Sequence, residues 1–367
     1  MTQLDRRTLL GGLIGGAALG ATLGPSSAQS VPEWPHARPK DVGLDRNRLS
    51  SAADILGSNG ERQGLVVIRD GRLVFERYWA NDFHRADPQW RNVSFSAGKS
   101  WGATMVGRAI TQRRMAVTDN ALRYVPAERT GLHRETTIAD LLTMSSGGTL
   151  VTKPSSLPPR RLDDTTPPGP APEYRRAAGQ SEERGAPAGY GTSITPGTRF
   201  FYDGAAADHL AEIVSAAVGQ PSHTYMLQQV LAPLGCRDTG YQPEGIDRNG
   251  DVRIGGSMLI SCRDLARLGQ LYMDAGHWNG HQFIDPAFIR AAISPSPLNL
   301  DYGYLWWLNT TGRIAQAPRS MYFAAGARGQ FCFVVPERRL VVATMGFGKA
   351  QLSTEQAWAA LAPALLA

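Results

Sequence analysis

Residues 93–101 read Val-Ser-Phe-Ser-Ala-Gly-Lys-Ser-Trp, and the rest of the chain is organised around this stretch. Ser96 and Lys99 lie three residues apart, and the recurring apolar residues that follow predict a helix through Thr111. If Ser96 stands at the helix start, Lys99 lies one turn further along the same face, and the positive end of the helix dipole favours negative charge at the serine oxygen. A hydroxyl beside an amine in that position is a candidate nucleophile with its base.

The Ser-x-x-Lys pattern is not specific by itself, because exposed helix faces often carry Ser and Lys three residues apart. The adjacent Gly98-Lys99-Ser100 is similar to the end of a phosphate-binding loop, but that loop needs a glycine where this sequence has Val93. Nucleotide binding is therefore not expected.

The composition is typical of a large globular protein. The chain has 367 residues, of which 42% are hydrophobic, which is enough for one large domain or two interleaved lobes. The net charge of +6 comes with arginines scattered along the sequence, and no dense basic run follows residue 10. This distribution argues against nucleic-acid binding.

The first 28 residues are predicted to be a signal peptide. Asp-Arg-Arg-Thr-Leu-Leu at residues 5–10 is a twin-arginine pattern, an apolar run follows over residues 11–23, and the small residues at 25–28 suit a cleavage site. The run is short for a membrane span, although an ordinary secretory signal or an uncleaved anchor would share these features. We therefore expect a mature protein of residues 29–367, exported after folding to the periplasm or the exterior of a bacterial cell, with no stable membrane span.

Neither a metal nor a cofactor is predicted. Cys236, Cys262 and Cys332 do not have the spacing of a metal site, and the seven histidines show no His-Glu-x-x-His motif. Export permits one disulfide, but an odd number of cysteines leaves at least one thiol over. Whether Cys236 pairs with Cys262 is left open.

Strand-forming segments lie near both ends of the chain, with helices between them. Two β-hairpins are predicted from β-rich runs around turn residues: 64–68 with 72–79 around Asp70-Gly71, and 330–335 with 340–345 around Pro336-Glu337-Arg338-Arg339. Further predicted elements are helices over 44–56, 136–146, 205–218, 222–231, 261–275 and 353–366, and strands over 302–308 and 322–324. The fold class is therefore α+β: an antiparallel sheet built from both chain ends and flanked by helices, with an inserted, mostly helical lobe at roughly residues 95–260.

Residues 151–195 differ from the rest of the chain. They are rich in Pro, Arg, Ser and Gly and have no periodic pattern. A segment this long is often a lid or a binding loop, and we expect it to border the substrate site and to limit substrate size. A disordered surface excursion is the alternative interpretation.

Several short segments occur together over most of residues 40–350. They are Ser96-Ala97-Gly98-Lys99, Thr-Ile-Ala-Asp-Leu-Leu-Thr-Met-Ser-Ser-Gly at 137–147, Pro-Gly-Thr-Arg-Phe-Phe-Tyr at 196–202, Ala-Pro-Leu-Gly at 232–235, Tyr-Gly-Tyr-Leu-Trp-Trp at 302–307 and Gly-Ala-Arg-Gly-Gln at 326–330. In this order they resemble the serine β-lactamase and penicillin-binding-protein superfamily, and most of all its class C-related esterase and 6-aminohexanoate-oligomer hydrolase branch. Each segment is modest alone, but the set is specific.

The resemblance implies a β-lactamase/transpeptidase-like fold in a single catalytic domain that forms an acyl-enzyme on Ser96. Lys99 would be the partner of the nucleophile, and Tyr202, which matches the tyrosine of the family's Tyr-x-Asn motif, would pass the proton to the leaving group. The backbone N–H groups of Ser96 and Ala327 would form the oxyanion hole, and Gly326 would let a substrate approach the strand edge closely.

Two positions of the expected substrate-binding set depart from the family pattern. Gly204 stands where the family often has Asn, and Ala324 stands where the third motif usually begins with Lys or His. Both changes weaken the expectation of β-lactam recognition. If the Arg328 side chain turns into the substrate cleft, it replaces part of the contact that Lys or His of the third motif makes with the substrate. The alternative is that Arg328 points to solvent.

As a whole, the resemblance implies a secreted serine hydrolase that cleaves a small ester, amide or peptide-like substrate without a metal or cofactor. Two alternatives stay open: an acyltransferase that gives the same acyl group to an alcohol or amine, and a non-catalytic acylation sensor. The physiological substrate and the oligomeric state are not decided by the sequence.

Overall fold

A six-stranded antiparallel sheet, to which both ends of the chain contribute, is the centre of the structure. The computed structural model describes residues 34–58, 61–81, 85–149, 193–347 and 352–366. The predicted signal peptide, and the predicted loop except for residues 193–195, lie outside these ranges.

The strands are β1 (Arg62–Arg69), β2 (Arg72–Tyr78), β3 (Asn92–Val93), β4 (Thr239–Tyr241), β5 (Met258–Ile260), β6 (His277–Trp278), β7 (His281–Gln282), β8 (Trp307–Leu308), β9 (Tyr322–Gly326), β10 (Gln330–Val335) and β11 (Leu340–Gly346). The α-helices are α1 (Arg46–Ser58), α2 (Gly98–Thr111), α3 (Ala127–Thr130), α4 (Ile138–Leu142), α5 (Gly204–Val218), α6 (Ser222–Tyr225), α7 (Ala232–Leu234), α8 (Cys262–Met273), α9 (Pro286–Ala292) and α10 (Thr354–Leu365). The central sheet has the order β2-β1-β11-β10-β9-β8, and β3-β5-β4 form a second, smaller sheet.

Both predicted hairpins are confirmed, as β1–β2 and β10–β11. Asp70 and Gly71 have φ angles of 51° and 70°, and two successive positive φ angles are what a tight two-residue hairpin turn requires. Strand β1 pairs antiparallel with β11, with Val67 opposite Val342, so the two hairpins belong to one sheet. The predicted α+β class, with a sheet built from both chain ends, is therefore confirmed.

Neighbouring residues of the sheet face two separate hydrophobic cores. Phe333 and Val342 pack in a core with Trp358 of α10 and with residues of α1. Val334 and Val341 face the other way, into a core that they share with α2 and α8. The period-two alternation of strand side chains thus places helices on both faces of the sheet.

The chain between β2 and β8 contributes the helices that surround the candidate site. Helix α2 packs against both α5 and β9. The predicted helix starts at Thr136–Thr137 and at Ser261 are confirmed as caps, because the Thr137 side chain accepts the N–H of Asp140 and the Ser261 side chain accepts that of Asp264.

Three expected elements differ from the structure. The helix expected over 136–146 is only α4, because Met144 takes a φ of 57° and leaves the helical conformation. The strand expected over 302–308 is only β8, because Leu305 takes a φ of 56° and its N–H donates to the Leu142 carbonyl at 2.9 Å, which holds the segment as a turn. The helix expected over 222–231 is α6 followed by a π-helical segment, Met226–Leu231. Pro233 follows and has no N–H to donate, so the regular helical ladder is interrupted there.

The region from Pro32 onward forms one compact unit. All three cysteines are buried free thiols, so Cys236 does not pair with Cys262 in this structure. Within the described ranges no helix is both long and apolar enough to cross a membrane.

Candidate active site

Ser96 and Lys99 lie at the start of α2, as the sequence predicts. Ser96 is in a 3-10 turn, Phe95–Ala97, that leads directly into the helix, and the Lys99 Nζ donates to the Ser96 Oγ at 3.2 Å. Phe95 has a φ of 47°, a left-handed conformation that is uncommon for a residue other than glycine. Such strained residues cluster at functional sites, and this one immediately precedes the candidate nucleophile.

Lys99 is buried, with 3% of its surface exposed, and is enclosed by three different elements. Besides Ser96, its Nζ donates to the Gly255 carbonyl at 3.4 Å and lies 4.9 Å from the centre of the Tyr202 ring. Gly255 is fixed in turn, because its N–H donates to the buried Asp208 carboxylate at 2.7 Å. The structure thus brings together the three side chains predicted to be catalytic.

Aromatic rings hold Tyr202 in place. Trp307 stacks on it with ring centres 5.5 Å apart and an interplanar angle of 24°, and Tyr302 meets it edge-on at 6.1 Å. Tyr302 is buried, and that burial, followed by the nearby Tyr202, raises the pKa of the Tyr302 phenol well above its ordinary value. Tyr302 therefore stays protonated and forms a neutral wall of the site.

The backbone before α5 sets the position of Tyr202. The Phe201 N–H donates to the Met144 carbonyl, and the Gly197 N–H donates to the Ser145 carbonyl, both at 2.8 Å. Asp203 caps α5 by accepting the N–H of Ala206, so the tyrosine lies just outside the helix start. Gly204, one of the two departures from the family pattern, is the buried first residue of α5.

Strand β9 passes directly beside the 3-10 turn that carries Ser96. A Cβ atom at Gly326 would overlap the Ser94 carbonyl oxygen and lie 3.0 Å from the Ala97 nitrogen, so only glycine fits there. Ala327 follows in the turn between β9 and β10 and is exposed. The two backbone segments predicted to form the oxyanion hole are therefore neighbours.

Two predicted binding residues are buried. Ala324 is opposite Cys332 in the sheet and fully buried in the core that includes Trp101. Arg328 is only 8% exposed, and its guanidinium lies 5.4 Å from the centre of the Phe95 ring. Of the two orientations left open for Arg328, the one pointing to solvent is wrong, because the side chain packs against the residue that precedes the candidate nucleophile.

Sequence reasoning assigned no role to Gly255, Asp208, Tyr302 or Trp307. Gly255 contributes only a backbone carbonyl, for which no side-chain pattern exists. The two aromatic residues lie in a segment that carries the family resemblance, but their proximity to Tyr202 depends on the tertiary fold. In the described part of the chain, no group of three or more His, Cys, Asp or Glu side chains is arranged to hold a metal ion.

The model of the family named Beta-lactamase matches residues 45–362, which is most of the chain and includes all of the site residues above. The chain belongs to the beta-lactamase family. A curated member, a beta-lactamase of Pseudomonas fluorescens, is 24% identical over 202 residues, covering 53% of this chain and 50% of that protein.

Solved structures share the family fold at low sequence identity. A protein from Bacillus anthracis assigned as a 6-aminohexanoate-dimer hydrolase superposes with a TM-score of 0.65 at 18% identity, covering 91% of this chain and 88% of that one. EstCE1, described as a hydrolase with promiscuous acyltransferase activity, superposes with a TM-score of 0.64 at 16% identity, covering 88% and 98%. The predicted family and fold are thus confirmed, and members of this family are generally serine hydrolases.

Proposed function

We propose that this protein is a serine hydrolase that cleaves a small ester or amide through an acyl-enzyme on Ser96. The observation that carries the proposal is the 3.2 Å contact between the Ser96 Oγ and the Nζ of the buried Lys99. Removing water from an amine disfavours its charged form, which lets it accept a proton. A serine beside such a base is an activated nucleophile.

The reaction proceeds in two steps. In acylation, the Ser96 Oγ bonds to the substrate carbonyl carbon, the serine proton passes to Lys99, and the bond to the leaving group breaks as that group takes the proton through the Tyr202 phenol. In deacylation, the oxygen of a water molecule bonds to the acyl carbon and its proton passes to Lys99. The bond between that carbon and the Ser96 Oγ then breaks, the Oγ takes the proton back from Lys99, and the acid product leaves. The close approach of Gly326 to the Ser94 carbonyl supports an oxyanion hole made of the Ser96 and Ala327 N–H groups.

An acyltransferase activity is the second candidate. The same acyl-enzyme is transferred to an alcohol or amine if that acceptor replaces water. The fold likeness to EstCE1, which is described as having promiscuous acyltransferase activity, favours this candidate over a non-catalytic sensor. Product analysis with an added alcohol separates transfer from hydrolysis.

We propose in addition that the protein is exported to the periplasm or the exterior, which the twin-arginine pattern at residues 5–10 supports.

The direct test is the intact mass of the protein after exposure to a fluorophosphonate. We expect one added phosphonyl group on the wild type and none on Ser96→Ala. Ser96→Ala should also lose at least about a hundredfold in turnover of p-nitrophenyl butyrate, as is typical when a nucleophile is removed. Labelling of Ser96→Ala to the same extent would rule out Ser96 as the nucleophile.

Substrate preference is expected to favour neutral esters over β-lactams. Gly204 provides no side-chain amide, and Ala324, fully buried, provides no cation for the β-lactam carboxylate. A hydrogen bond to a charged group contributes about 1.5–3 kcal/mol, and about 1.4 kcal/mol corresponds to tenfold in rate. We therefore expect a higher kcat/KM for p-nitrophenyl acetate than for the cephalosporin nitrocefin. The reverse order would show that this interpretation of Gly204 and Ala324 is wrong.

A further inference from the structure

A cluster of buried hydrogen bonds converges on the backbone of Gly346, at the end of β11. The side-chain amide of Gln330 donates to the Gly346 carbonyl at 2.6 Å and accepts its N–H at 3.1 Å. The Asn92 side chain donates to the same carbonyl at 3.0 Å. Both backbone polar groups of Gly346, in two successive peptide groups of β11, are therefore bound by side chains, from β10 at the N–H and from β3 and β10 at the carbonyl.

Arg62 completes this cluster from β1. Its Nη2 donates to the carbonyls of Arg328 and Gly329, at 3.1 and 3.2 Å. These are the two residues that follow Ala327 in the turn between β9 and β10. A Cβ atom at Gly329 or Gly346 would overlap the guanidinium, so the backbone closes tightly around it. We refer to Arg62, Asn92, Gln330 and Gly346 as the Gly346 cluster.

The burial of these side chains makes the hydrogen bonds obligatory. Arg62 is 3% exposed, Asn92 is 4% exposed and Gln330 is fully buried. Burial lowers the pKa of the Arg62 guanidinium to about 10, which reflects the cost of removing this cation from water. A buried polar group that loses its hydrogen-bond partner destabilises the folded state by its full desolvation free energy. These four residues therefore have few alternative arrangements of low free energy.

The cluster reaches both sides of the proposed oxyanion hole. Asn92 lies four residues before Ser96, and the strand between them is also held by the Ser94 N–H, which donates to the Met258 carbonyl at 2.8 Å. Gln330 lies three residues after Ala327 and pairs with Gly326 in the sheet. The two N–H groups come from segments more than two hundred residues apart in sequence, and Gly346 is the common attachment point of both.

We propose that Arg62, Asn92 and Gln330 are positioning residues that fix the distance and angle between the Ser96 and Ala327 N–H groups. The inference rests on the proposed function, because it needs an oxyanion to form at Ser96. Oxyanion donors stabilise the transition state more than the ground state, and their effect depends on placement at hydrogen-bond distance. Loosening the cluster therefore slows acylation and leaves the binding of uncleaved substrate nearly unchanged.

The test compares Gln330→Met, Asn92→Leu and Arg62→Met with the wild-type protein. Stopped-flow acylation by p-nitrophenyl butyrate gives the dissociation constant of the substrate and the acylation rate separately. The affinity for phenylboronic acid, which bonds to the serine oxygen as a tetrahedral anion, reports the oxyanion hole directly. We expect acylation rate and boronate affinity to fall together by about ten- to a hundredfold, a part of the loss seen when one donor is removed, with the substrate dissociation constant within about twofold.

Two controls separate positioning from stability. Asp285→Ala removes the cap of α9, where the Asp285 side chain accepts the N–H of Ala287 away from the cluster, so it should lower Tm without changing boronate affinity. Thr344→Val replaces a buried hydroxyl two positions before Gly346 that has no hydrogen-bond partner among the described residues, so it should raise Tm or keep it at the wild-type value and leave boronate affinity unchanged. Arg62→Lys keeps the charge and a donor, so it should recover most of the activity that Arg62→Met loses, and it serves if Arg62→Met does not fold.

The outcomes are distinct. If the cluster variants lower Tm as Asp285→Ala does but keep the wild-type acylation rate and boronate affinity, the cluster is only structural and the inference is wrong. If the wild-type protein takes up neither fluorophosphonate nor boronate, the proposed function fails, and this inference fails with it.

Discussion

Lys99 is the residue at which the site converges. Its amine lies 3.2 Å from the Ser96 hydroxyl oxygen, 3.4 Å from the Gly255 carbonyl oxygen and 4.9 Å from the centre of the Tyr202 ring. Helical geometry alone accounts for the first contact, because residues three apart lie on one face. The other two come from distant parts of the chain, and they keep the amine beside the serine rather than in solvent.

If Lys99 and Tyr202 move one proton between them, removing either should disable the whole relay. We expect Lys99→Ala and Tyr202→Phe each to lower the acylation rate by about 100- to 10,000-fold, the usual contribution of general acid–base catalysis. The double variant should be little worse than either single one, because groups that act as a unit are not additive. Single-turnover kinetics measure this directly.

Thr104→Val is the matched control for that experiment. Thr104 is buried in the same helix, and its hydroxyl donates to the Ser100 carbonyl at 2.9 Å without contacting Ser96. It should leave acylation within a few-fold of wild type. Strictly multiplicative losses in the Lys99 and Tyr202 variants would mean that one of these side chains only packs.

Among the elements, the approach of β9 to the Phe95–Ala97 turn is the contact that most constrains the site. Gly326→Ala would force the new methyl group against the Ser94 carbonyl, so strand and turn must separate. Overpacking of this kind usually costs about 1–3 kcal/mol of stability. Because the turn carries Ser96 and the strand leads to Ala327, we expect kcat/KM for p-nitrophenyl butyrate to fall by at least about a hundredfold, as when an oxyanion donor is removed.

Gly240→Ala in β4 is the control, since a Cβ atom there would meet only the end of the Arg91 side chain, at 3.8 Å. It should keep both activity and Tm near the wild-type values. Near-wild-type activity in Gly326→Ala would mean that β9 and the turn can move apart without consequence.

Local chemistry explains which elements could be predicted from the sequence. The β1–β2 hairpin follows from Asp70-Gly71, where both residues must adopt positive φ, and the starts of α4 and α8 follow from capping side chains. The strand expected over 302–308 failed because the Leu142 carbonyl binds the Leu305 N–H, a tertiary contact that leaves no mark in a period-two pattern.

The site was predictable to a similar extent. Ser96 and Lys99 are close in sequence, so their contact follows from one helix. Tyr202 was identified only through the family resemblance, because nothing local distinguishes it from a packed aromatic residue. Arg62 was not identified, since a buried arginine that binds backbone carbonyls has no sequence pattern of its own.

At the scale of the whole molecule, the N-terminal hairpin is joined to the C-terminal one through β1 and β11, and the site lies beside β9 of the shared sheet. The core that the sheet shares with α2 and α8 contains ionisable groups that are kept neutral by burial. Burial raises the pKa of Tyr272 to about 12, and that of the Cys332 thiol from 9.0 to about 12. Tyr322 is shifted in the same direction.

These shifts make the fold sensitive to alkaline pH. An acid whose pKa is higher in the folded state contributes stability below its unfolded pKa and loses it as the pH rises towards its folded pKa. For the Cys332 thiol this window runs from about pH 9 to 12, and Tyr272 acts similarly from its ordinary pKa of 10.0 upwards.

Arg62 acts in the opposite sense, because burial lowers its pKa to about 10, and the contribution of that group to stability rises above this pH. Burial also lowers the pKa of Arg108, but among the described residues the buried acids with a raised pKa outnumber these two bases. We therefore expect the free energy of unfolding in urea to decrease between pH 9 and 11, with each newly ionising acid contributing about 1.4 kcal/mol per pH unit. Tyr272→Phe removes one of these acids and should make the decrease shallower relative to wild type. A free energy of unfolding that stays constant or rises over this range would show that burial does not hold these groups neutral.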